Sequence, residues 1–145
     1  MRLTMTVSLP RQPSSIGEAR HILAVLLSLT TAEEQARDHL AVLLTEACAN
    51  VVRHGDTETT LDLHIAIGSG TCVLEIGNRG RVPNGGRLPT RPPDPAQTNG
   101  RGLALIAALS DSAQFVPTTS GYVLLRMTLR LQAHTDVRAA DPSGP

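Results

Sequence analysis

Between Thr31 and Gly55 the residues Leu40, Leu43, Leu44, Ala47 and Val51 recur at helical, core-facing spacing. A helix with such a stripe has to bury it against a second layer. Glu46, Asn50 and His54 stand four apart and line a neighbouring edge of the same helix, with Arg53 beside them and Gly55 ending it. A carboxylate and a carboxamide on one edge suit a divalent cation and a polyphosphate. Hard cations prefer oxygen ligands, and a carboxylate can orient or deprotonate an attacking oxygen. The same pattern also fits an amphipathic helix whose polar edge is solvated.

The second layer reads as strands. Leu3, Met5, Val7 and Leu9 alternate with polar residues up to Pro10. Ser15-Ile16-Gly17-Glu18 has capping-box spacing ahead of a first helix through Ala19, Leu23 and Leu26, and Thr31-Ala32-Glu33-Glu34 opens the longer one. Leu61, Leu63, Ile65 and Ile67, then Cys72, Leu74 and Ile76, alternate on either side of Gly68-Ser69-Gly70, which predicts a hairpin with one buried face. From Asn78 to Asn99 five prolines and three early glycines predict neither helix nor sheet. A loop of that length is uncommon inside a domain and is usually functional, often a lid (residues 79–99). Gly100-Arg101-Gly102 starts an apolar helix, a strand is expected around Ser112 to Val116, and a last strand runs from Tyr122 to Leu131. The polar segment from Gln132 to Pro145 reads as a disordered tail, leaving residues 1–131 as one domain. The expected class is α+β, a two-layer sandwich with a mixed, mostly antiparallel sheet and helices on one face.

Composition narrows the partners. Of 145 residues 13 are basic, every one Arg, and 13 are acidic, so the formal net charge is zero. That leaves no electrostatic footprint for nucleic acid or an anionic membrane. The longest apolar run, around Ile22 to Leu29, is too short to span a bilayer, and the first residues lack a signal-peptide core. A cytoplasmic location is expected. With one Phe, one Tyr and no Trp the core has to be aliphatic, and Cys48 and Cys72 are expected as buried, reduced thiols.

Two further segments carry chemistry. At Gly77-Asn78-Arg79-Gly80 a buried strand runs into the lid; glycine admits a flat ring, and a short polar side chain can read a base edge, although Asn and Gly also begin ordinary loops. At Asn99-Gly100-Arg101-Gly102-Leu103 free N–H groups at a helix start could cradle phosphates, though a helix entered from a Gly-rich linker looks the same.

Taken in order, TEACANVVRHG, IGNRGR and NGRGLALIAAL resemble the N box and the two glycine boxes of the GHKL ATPase/kinase superfamily, with its Bergerat ATP-binding fold. Within it the chain is most similar to the stand-alone anti-sigma-factor serine/threonine kinases of bacteria. That resemblance implies ATP and Mg²⁺, with Asn50 on the Mg²⁺ and Glu46 as the catalytic carboxylate. It places Asn78 at the adenine amino group and Gly80 in the first glycine box. Gly100, Arg101, Gly102 and Leu103 would wrap the phosphates, and Arg53 and His54 fall near the nucleotide. It also implies a sigma factor and an anti-anti-sigma antagonist as partners, no direct contact with nucleic acid, and a homodimer as the usual assembly. Three departures surround the base. Asn78 replaces the usual Asp, for a penalty on the order of 1–2 kcal/mol. Arg81 and Val82 stand where a further Gly is common, and Tyr122 stands where many members have a Thr that helps hold adenine through water. An Asn can turn its amide either way, so weak discrimination between adenine and guanine is expected. The alternative is a partner-binding regulator of the same fold whose nucleotide site has weakened or been lost.

Overall fold

A computed structural model describes residues 1–96 and 101–132. Along these the elements run β1 (Leu3–Pro10), α1 (Ser14–Ser28), α2 (Glu34–His54), β2 (Thr60–Gly68), β3 (Thr71–Arg79), α3 (Arg101–Leu109), β4 (Ser112–Val116) and β5 (Tyr122–Arg130). The strands form one sheet in the order β1-β2-β3-β5-β4. The sheet, expected to be mostly antiparallel, is antiparallel at all four pairings among the described residues. α2 lies over β2, β3 and β5, flanked by α1 and α3, so the molecule is the two-layer α+β sandwich that the patterning implies.

Alternation builds the interface between the layers. Leu61, Leu63, Ile65 and Ile67 of β2, Cys72, Leu74 and Ile76 of β3, and Val123, Leu125, Met127 and Leu129 of β5 are all buried against the helices. Leu40, Leu43, Leu44, Ala47 and Val51 of α2 meet them. Each fully buried aliphatic side chain contributes roughly 1.5–3 kcal/mol, and with no aromatic residue in the core many of them must add up. The β2–β3 hairpin turns on Ser69 (φ 53°) and Gly70 (φ 73°), two positive-φ residues whose twist matches that of the flanking strands. Burial pushes the Cys48 and Cys72 thiols up to about 12, which keeps them protonated and inert.

Local signals misplace three boundaries. Ser15 does not cap α1; its hydroxyl donates to the Pro10 carbonyl at 2.6 Å, tying the helix to the end of β1. Thr31 does not cap α2, which begins at Glu34 with Glu33 at the cap position, because the Glu33 N–H pairs across to the Leu131 carbonyl. β3 continues through Asn78 and Arg79, opposite Val123 and Tyr122, where irregular chain was expected from Asn78 onward. Tertiary pairing overrides the turn preference of Asn. The segment after it holds a short 3₁₀ turn, Pro83–Gly86. The expected disordered tail lies outside the described residues from 133 onward, as do residues 97–100.

On the opposite face of the sheet Tyr122 lies across Gly77. A Cβ at Gly77 would come within 2.1 Å of the Tyr122 hydroxyl, so only glycine leaves room for the ring. That hydroxyl donates to Asp62 Oδ2 at 2.8 Å. Burial by itself would raise the Asp62 pKa, but hydrogen bonds from Thr60, Tyr122 and Ser8 outweigh it and hold the carboxyl below its ordinary value. Burial, with the bond to Asp62 and its charge, pushes the phenol up to about 12. Between the ordinary value of 10.0 and about 12 the folded chain keeps a proton that the unfolded chain releases. Stability from this pair is therefore complete below the lower value and falls as pH rises through the window. The Asp62 contribution runs the other way: it is present above 3.8 and is lost as pH falls through the lowered folded value. Tyr122 is the only tyrosine, so the tyrosinate absorbance band reports it alone. A native titration midpoint near 12 is expected, moving towards 10 in Asp62→Asn; a wild-type midpoint at 10 would show that the ring does not rest on Asp62.

Candidate functional site

α2 presents Glu46, Asn50 and His54 on successive turns, and α3 packs its first turn against the first two. Gly102, buried on α3, makes this approach possible. A Cβ built there would lie 2.8 Å from Glu46 Oε2 and 3.7 Å from Asn50 Oδ1. The carboxylate and the carboxamide therefore meet the start of α3 at one place, although 56 residues separate Glu46 from Gly102 in the chain. The start of a helix supplies unpaired N–H groups and the positive end of its dipole. Two side-chain oxygens, Glu46 Oε2 and Asn50 Oδ1, lie beside it.

No cluster of three or more His, Cys, Asp or Glu side chains able to hold a metal occurs among the described residues.

Asn78, 8% exposed, closes the other end of the site at the last turn of the β3 ladder. Its Nδ2 donates to the Arg79 carbonyl at 2.9 Å. The neighbouring backbone is held in turn: the Arg79 N–H donates to Thr59 Oγ1 at 2.7 Å, and the Gly80 N–H to the Gly121 carbonyl at 3.0 Å. The amide nitrogen of Asn78 is thus engaged, and no hydrogen bond to Oδ1 occurs among the described residues.

Between Asn50 and Asn78 lies a cavity of about 30 Å³, floored by Ile76, Val123 and Leu125 and lined by Ala47, Val51 and His54 of α2. Arg81, Pro83 and Phe115 close it. Sequence reasoning missed Phe115 and Val123. Tyr122 had been expected near a base, but its neighbour Val123 points into the cavity while Tyr122 faces the far side of the sheet, because strand residues alternate. Arg53 is exposed, its Nε donating to the Ala49 carbonyl at 3.4 Å, and it does not line the cavity. Arg101 is exposed at the start of α3, and Leu103 packs half-buried against the core. Gly80 sits beside Asn78, where a Cβ would come within 3.1 Å of Nδ2. Gly100 lies outside the described residues.

Residues 9–129 match the family profile of the histidine kinase-like ATPase domain. The chain belongs to that family, the GHKL ATPases. The crystal structure of the RsbU and RsbW domains of Rv1364c from Mycobacterium tuberculosis is similar in fold, with a TM-score of 0.65 at 19% identity over 89% of this chain and 32% of that one. This chain thus spans about a third of that protein's length. The Acinetobacter baumannii histidine kinase AdeS aligns with 15% identity over 88% of this chain and 68% of its own, with a TM-score of 0.47. No curated protein matches the sequence. No described helix is long and apolar enough to cross a membrane.

The Gly102 contact makes a separable prediction. In Gly102→Ala the new methyl is crowded only by the flexible end of Glu46, its other neighbours lying at ordinary contact distance, while alanine favours helix over glycine by about 0.5–1 kcal/mol. The variant should melt at or above the wild-type temperature, yet lose ATP turnover on the order of a hundredfold, because the carboxylate is displaced. Wild-type turnover in Gly102→Ala would mean that the placement of Glu46 against α3 carries no chemistry.

Proposed function

We propose that the protein is an ATP-dependent serine/threonine protein kinase that also acts as an anti-sigma factor, binding a sigma factor and phosphorylating an antagonist protein. The observation that carries this reading is the contact of Gly102 with Glu46 and Asn50, which brings the N-box oxygens to the helix start of the second glycine box. Phosphoryl transfer asks a protein mainly for positioning and charge neutralisation. Asn50 would hold Mg²⁺ through its carboxamide oxygen; the ion, when bound, offsets charge on the phosphates. Glu46 would orient the acceptor hydroxyl and take its proton. The N–H groups at the start of α3, with Arg101, would position the phosphates. Asn78 Oδ1 would accept from the adenine amino group. The fold shared with the RsbW domain of Rv1364c supports the anti-sigma branch, and zero net charge fits a protein partner better than nucleic acid.

The test is calorimetric titration of ATP with and without Mg²⁺, followed by transfer of labelled phosphate to a candidate antagonist. Glu46→Gln should bind ATP as the wild type does and transfer on the order of a hundredfold more slowly, the usual loss for a missing general base. Equal rates would leave Glu46 as helix surface. The small cavity favours the second reading, a regulator without nucleotide, and absence of ATP binding would establish it.

With Nδ2 engaged by the Arg79 carbonyl, Oδ1 is the atom of Asn78 that would face a base. Adenine offers a donor to Oδ1, whereas guanine offers a carbonyl that leaves both oxygens unpaired. ATP should therefore bind at least about tenfold more tightly than GTP, the worth of one unmade buried hydrogen bond. Equal affinities would mean that Asn78 does not face the base.

A further inference from the structure

A cavity of about 30 Å³ holds about two water molecules, far less than a ligand pocket of roughly 300–1,000 Å³. For a base to enter, some wall must move. Those on α2, β3 and β5 cannot: they belong to the central helix and the two paired strands beneath it, and Ile76, Asn78, Val123 and Leu125 are all buried. Arg81 and Pro83 lie after the end of β3. Phe115 is half-buried on β4, a five-residue strand paired on one side only at the edge of the sheet. On its other side lies an open groove of about 750 Å³, between Gly80–Val82 and the β4–β5 loop. Arg81, Phe115 and Val123 line both spaces. Of these Val123 is fixed in the ladder opposite Asn78, and Arg81 is an exposed chain free to leave. The Phe115 ring is the bulky apolar part of the partition, on the edge strand.

We propose that Phe115 is a gate on the base pocket. In the free protein its ring fills space that a purine needs, and it turns into the outer groove as the base enters. The proposal rests on the nucleotide-binding reading above. Its consequence is that apparent affinity for the base is reduced by the small fraction of molecules with the gate open. The phosphates, held at the far end of the site by α2 and α3, escape that reduction. Phe115 would thus set how tightly the protein holds nucleotide without touching the phosphates.

The test titrates adenosine, ATP and inorganic triphosphate into the full chain as wild type, Phe115→Leu and Phe115→Ala. Adenosine and ATP should bind Phe115→Ala about tenfold more tightly than wild type, with Phe115→Leu between them, because the closed state no longer competes. Triphosphate affinity should not change. Weaker adenosine binding in both variants would make the ring a stacking support and overturn the gate, and so would equal binding in all three proteins; in either case the nucleotide site itself would stand. If ATP binds none of the three, the gate and the nucleotide reading fall together. Should Phe115→Ala lose its native circular dichroism, Phe115→Leu decides by the direction of its shift.

Discussion

The pairing of β3 with β5 holds this molecule together as a site. It joins residues 71–79 to 122–130 and places Asn78 opposite Val123. Everything between them, the proline-rich segment, α3 and β4, is a closed excursion from this ladder. Loop closure over some forty residues is a modest entropic cost compared with the nine register pairs and buried side chains that it brings together. With the ladder formed, α3 has to return across the sheet beside α2, and β4 has to add outside β5. Without it Asn78 would begin a loop, as Asn usually does, and no floor would lie under the cavity.

Close helix packing depends on that ladder in turn. The carboxylate of Glu46 and the amide of Asn50 point at the start of α3 only because Gly102 has no side chain to hold the two apart. Gly77 plays the matching part on the other face, where its missing side chain lets Tyr122 reach Asp62. In both places a glycine is required for space rather than for an unusual backbone. One admits a carboxylate to a helix terminus, and the other locks a phenol onto a carboxylate. The two faces of the sheet therefore differ: polar anchoring on the outer face, a small cavity on the inner one.

The elements were legible wherever periodicity was strong. The stripe of α2, the hairpin about Ser69-Gly70 and the alternating run of β5 all lie where their patterns put them. Capping signals were less reliable, because Ser15 and the Glu33 backbone found tertiary partners that a local rule cannot see. Glu46, Asn50, Asn78 and Gly102 were legible as candidates because their motifs are local. Phe115 and Val123 were not. Their part in the cavity follows from the strand order β3-β5-β4, which no local pattern carries.

By itself, then, the sequence determined which segments are helix or strand, which faces are apolar and which polar residues stand on one helical edge. These follow from periods of 3.6 and 2 acting over a few residues. Only the tertiary structure decided which of those residues meet: Gly102 on Glu46, Asn78 tied to Arg79, Val123 inward with Tyr122 outward, and Phe115 in the lining of the cavity. The reason is physical. Pairings between distant segments depend on which buried surfaces and ladder hydrogen bonds fit together, and that is a property of the assembled sheet rather than of any window of the chain.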